Sequence, residues 1–117
     1  MTTGMGAGAE LVVVPEMVRA GLERVRRQYV RSLRMPQGSD EQNAAHWARV
    51  AEVYRREARW WAVLERWVFS LQGRAVGVVF ADAAIQARNR AERFAQDYEK
   101  LAARARNLHE GAVGVSG

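Results

Sequence analysis

The chain has no cysteine, two prolines, two histidines and a single lysine, Lys100, among its 117 residues. Without cysteine there is no disulfide and no thiolate metal site. His46 and His109 form no spaced pair with each other or with a carboxylate, so no metal set is expected. His46 reads as a packed or rim residue, and His109 as a residue at a helix C-terminus. No stretch approaches the roughly 20 uninterrupted apolar residues of a membrane span. The opening "MTTGMGAGAE" lacks the basic and apolar regions of a Sec-type signal peptide. Its "GMGAG" follows no strand and is closed by no Gly-Lys-Ser/Thr, so it is not a phosphate loop. The expectation is a soluble protein, cytoplasmic or part of a macromolecular particle, with no membrane partner and no cofactor.

The chain is rich in arginine, alanine and tryptophan. Its net charge is +5 and 49% of its residues are hydrophobic, a composition compatible with one modest globular core. Residues 1–10 and 111–117 are rich in glycine and small residues and read as a flexible arm and tail. Residues 11–110 read as a single helical domain. Within it, Pro15 and Glu16 suit a helix start, and "RMPQGSD" around Pro36 and Gly38 suits a stop. The spacing of Val18, Leu22, Val25, Tyr29 and Leu33 predicts a first helix over about 15–34. Gly21 inside it is either a weak spot or a point of close helix contact. Ser39-Asp40-Glu41-Gln42 is a capping-box signature. It opens a second helix over about 40–72, with Gly73 as its natural terminator. Phe80, Ala84, Ala87, Ala91, Phe94, Tyr98, Leu101, Ala105 and Leu108 alternate by four and three, which predicts a third helix over about 78–108. The run "VGVVF" at 76–80 is compatible with either helix or a short strand, and Asn107 to Gly111 is the expected end. The fold class is therefore all-α: a three-helix bundle built on a long antiparallel hairpin.

Three of the four tryptophans fall between Arg56 and Phe69. At about 100° per residue, Trp60 and Trp67 share one direction with Val53 and Leu71. Trp61 points elsewhere, beside Val50, Tyr54 and Trp47. So wide an apolar arc needs cover on two sides. The third helix supplies one side, and the short first helix only part of the other. The remainder is a candidate interface formed by Trp47, Val53, Trp60, Trp61, Trp67 and Leu71. Glu57 stands inside the apolar arc, where a carboxylate needs a cation or a raised pKa. It is a candidate for setting register or partner choice, with first-helix arginines as counter-ions. No second acid or nucleophile accompanies it, so catalysis is not expected.

Residues 15–35 carry six arginines against Glu16 and Glu23. Arg24, Arg26, Arg27, Arg31 and Arg34 are accordingly the candidates for nucleic-acid contact. They lie on several sides of the helix, which suits a solvated surface better than a groove-reading stripe. The first functional expectation is a non-catalytic assembly protein working through helix association, in a homo-oligomer or with a protein partner. A small part of a phage virion or neck complex fits that description. Nucleic-acid association is the alternative.

Over residues 40–110 the hairpin also resembles the small helical proteins of type VII secretion, the WXG100 group. Leu71-Gln72-Gly73 stands where that group has Trp-x-Gly, and Phe80 follows at a similar distance. Val14-Pro15-Glu16 resembles the Pro-Glu start of another exported helical family. The tryptophan of the turn is absent, an arginine-rich helix precedes the hairpin, and Tyr98 is followed by Ala102 where the group's export tag has an acid. The resemblance implies a secretion-associated hairpin and assigns no residue a role.

Overall fold

A computed structural model describes the backbone of residues 2–70 and 75–116 and the side chains of 13–70 and 78–111. Three helices make up the described chain: α1 (Thr2–Ser32), α2 (Asp40–Phe69) and α3 (Ala75–Ser116). The all-α class and the long hairpin follow from these elements. Residues 76–80 are helical rather than extended.

α2 begins where its cap requires. The Gln42 amide donates to Ser39 Oγ at 3.0 Å, and the Ser39 amide donates to Gln42 Oε1 at 3.3 Å. This reciprocal pair satisfies two of the amides that a helix start leaves free. Gly38, just before it, has φ +135°, a backbone conformation that favours glycine. The expected terminator Gly73 lies outside the described residues.

α1 starts well before Pro15, which stands inside the helix. The fixed φ of proline is compatible with a helix, and its missing N–H removes only one bond, to the carbonyl four residues back. The "AELVVV" before it has no further breaker. α3 likewise runs through Gly111 to Ser116, so His109 lies within a helix and not at its end. The side chains of the expected arm, and of all but Gly111 in the expected tail, lie outside the described set.

α2 is the central element. It packs on α3 and on α1, while among the described residues α1 and α3 make no direct backbone approach to each other. The pairings of Trp47 with Tyr98, Tyr54 with Phe94 and Glu65 with Arg88 descend along α3 as they ascend along α2, so the hairpin is antiparallel.

The hydrophobic core holds only small side chains. Its hydrophobic members are Val18, Val25, Val50, Val53 and Val68 plus nine alanines. Among the described residues, no leucine, isoleucine, phenylalanine, tyrosine or tryptophan is fully buried. In α3 the buried row is Ala81, Ala84, Ala91, Ala95, Ala102 and Ala105, with Arg88 and half-buried Tyr98 in the same 3–4 rhythm. This corrects the expected seam. Ala84, Ala91, Tyr98 and Ala105 belong to it, but its other half lies one residue further on. Phe80 (59% exposed), Leu101 and Leu108 (58%) are left on a flank.

α1 is also rotated, by one residue in the opposite sense. Val18, Gly21, Val25 and Ser32 are buried, while the expected Leu33 is 53% exposed. Small residues in the seam let helix axes approach closely, which shortens the contacts along the whole helix.

Candidate helix-docking trough

The tryptophans divide as the helical projection requires. Trp60 lies across Gly21 of α1, so closely that a Cβ on residue 21 would overlap the indole. Gly21 is therefore a contact glycine, and Arg24 sits 5.7 Å above the same ring. Val53, expected at an interface, is 1% exposed beneath α1 and belongs to the core. It is closed off because it lies about 20° from Trp60 on the helix circumference. Trp47 stacks on Tyr98 of α3 at 5.4 Å, with His46 buried against its edge at 4.6 Å. Trp67 is half-buried. Leu71, together with the Gln72 and Gly73 of the WXG100 resemblance, lies outside the described residues.

Trp61 is different. It lines two adjoining grooves between α1 and α2, of about 400 and 390 Å³, which share Leu22, Arg26 and Trp61. Pro15, Val18 and Leu64 continue the first groove, and Tyr29, Tyr54 and Glu57 continue the second. Tyr54 joins the grooves to α3. Its ring meets Tyr29 of α1 at 5.9 Å, and Phe94 and Tyr98 of α3 at 5.2 and 5.6 Å. Among the described residues the backbones of α1 and α3 stay apart, and these features border one trough. Its floor is Tyr54, Glu57, Trp61 and Leu64 of α2, one wall is α1, and the other is Phe94 and Arg90 of α3.

Burial at the junction of three helices pushes the Tyr54 phenol up to about 12, aided by Tyr29, Tyr98 and Glu57. Burial also raises the Glu57 carboxyl above the usual carboxylate value, while the Trp61 side chain as a hydrogen-bond donor and the charge of Arg90 pull it back. The counter-charge of Glu57 thus comes from α3, not from the first-helix arginines expected to supply it. Among the described residues, no cation lies within ion-pair distance of Glu57.

A largely buried charged pair across the hairpin seam is one that sequence reasoning missed. Arg88 takes an alanine position and reaches Glu65, whose side chain is 14% exposed. The interruption of the alanine row at 88 was the signal for it.

The first-helix arginines do not act as a set. Arg24 covers Trp60 in a groove on the other side of the α1/α2 contact, lined also by Arg56 and Arg59. Arg26 lines the trough. Arg27, Arg31 and Arg34 are exposed. Among the described residues, no group of His, Asp and Glu side chains gathers into a metal-binding cluster, and no helix is long and apolar enough to cross a membrane. No protein family, curated protein or solved structure matches the chain.

Proposed function

We propose that the chain is a non-catalytic assembly component that works by receiving a helix in the open trough, in a homo-oligomer or a larger complex. The observation that carries this reading is the location of the large apolar side chains. Burial of a leucine or phenylalanine contributes about 1.5–3 kcal/mol, yet the fold closes over alanine and valine. Leu22, Tyr54, Trp61, Leu64 and Phe94 are left half-covered along the trough, and Phe80, Leu101 and Leu108 continue the apolar flank of α3. Apolar patches of this extent mark interaction sites in monomers.

Surface area supports the same conclusion. The chain exposes 8294 Å², whereas a compact monomer of 13.2 kDa exposes roughly 6,400 Å².

The test is light scattering on the full chain, alone and with a neutral peptide helix carrying leucine at heptad positions a and d and glutamine elsewhere. The expected result is either a mass above 13.2 kDa for the chain alone or a rise in mass with peptide. Both should persist at moderate salt, since apolar burial is not screened. A monomer that takes up no peptide overturns the reading.

A further inference from the structure

The charges along the trough narrow the choice of occupant. On the α1 side Arg26 lines both grooves and has no carboxylate within ion-pair distance among the described residues. On the α3 side Arg90 lies 5.4 Å over the ring of Phe94, which meets Tyr54 of the floor at 5.2 Å. Arg90 likewise has no ion-pair partner among the described residues. Two carboxylates line the same surfaces. Glu23 is engaged by Arg19 at 3.5 Å. Glu57 is half-buried in the floor, within the field of Arg90. The trough is an apolar floor between two arginine lips.

A second copy of this chain fits such a surface poorly. A face-to-face pair related by a two-fold axis uses the same patch on both copies. An axis parallel to the helices sets the α1 lip of one copy against the α3 lip of the other. An axis across them sets each lip against its equivalent. In the first arrangement Arg26 is set toward Arg90, and in the second each arginine is set toward its own equivalent; like charges facing each other across an interface disfavour it.

We propose that the occupant is an amphipathic helix of a different protein, with an apolar stripe flanked on both sides by aspartate or glutamate. Its apolar residues cover Trp61, Leu64, Leu22 and Phe94, and its carboxylates reach Arg26 on one lip and Arg90 on the other. Arginine suits this role because its planar fork binds carboxylates in two-point contacts. The inference rests on the trough being a helix-docking surface, and adds the chemistry of the helix it accepts.

The experiment uses the full chain and two fluorescent peptides of about three heptads. Both carry leucine at a and d; one has glutamate and the other lysine at the flanking positions. The glutamate peptide should bind about tenfold tighter than the lysine peptide, the sum of a few exposed ion pairs, and the gap should close as salt rises. Arg26→Glu combined with Arg90→Glu should reverse the preference, while Arg27→Glu combined with Arg31→Glu should leave it intact. Arg26→Gln with Arg90→Gln should abolish the preference if the reversed variant does not fold. Equal affinity for both peptides, tighter binding of the lysine peptide, or a homodimer whose mass does not change on peptide addition overturns the proposal. Failure of the neutral peptide as well would instead remove the docking reading beneath it.

Discussion

Trp60 and Gly21 show how strongly one residue constrains another in a fold built on close helix contacts. Glycine inside a helix costs about 1 kcal/mol relative to alanine, and the indole lying over residue 21 is what makes that cost worthwhile. Gly21→Ala should therefore destabilise the chain by about 1–3 kcal/mol through overpacking, although helix propensity alone favours it. Urea unfolding measures this, and a stabilised variant would show that the α1/α2 contact is not as close as described. Glu57 gives a second expectation at the residue scale. In the unfolded chain its carboxyl titrates near 4.3; burial raises it in the fold. Between those two values the folded state holds more protons than the unfolded one, so stability rises as pH falls and is lost as pH rises through the folded value. Glu57→Gln should melt higher than the parent at pH 7, with the advantage shrinking toward pH 5. Parallel melting profiles for the two proteins would contradict this.

At the scale of the elements, α1 and α3 obey one rule. Each carries two overlapping heptad stripes, one of large apolar residues and one of small. The expected stripe in α3 ran through Phe80, Phe94, Leu101 and Leu108, because the largest side chains have most to gain from burial. The structure packs Ala81, Ala95 and Ala102 instead, trading side-chain area for backbone proximity. Within that alanine row Arg88 is anomalous, and its pairing with Glu65 fixes how α3 sits along α2. Arg88→Ala leaves a mostly buried carboxylate without a partner, which should cost roughly 3 kcal/mol. The double variant Glu65→Ala, Arg88→Ala should lose less than Arg88→Ala alone. A denaturation cycle over the four proteins decides this, and additive losses would show that the two side chains do not interact. The capping box at Ser39 and the breaker segment before it were legible from sequence, because both act through neighbours in the chain. The start of α1 was not, since Pro15 is compatible with either a first turn or an interior position.

The whole molecule is long and thin, 72 × 22 × 17 Å, with a radius of gyration of 19.5 Å. A compact domain of this length has about 13 Å. Such a shape buries little per residue and leaves one side of α2 open between helices whose described backbones stay apart. The assembly reading belongs to this scale, as does the expectation that a bound helix stabilises the fold by mass action.

The sequence by itself determined the helical class, the hairpin, the α2 cap, the split of the tryptophans between two directions and the awkward position of Glu57. Each of these follows from local periodicity or from turn and cap chemistry. Only the tertiary structure decided which of two stripes enters the seam, because that depends on how near two axes come, and both stripes satisfy the same spacing. It likewise decided that Gly21 is a contact, that Val53 is core, that the charge acting on Glu57 is that of Arg90, and that Trp61 looks into an open trough. These are relations between residues far apart in the chain, and the 3.6-residue period of a helix carries no information about them.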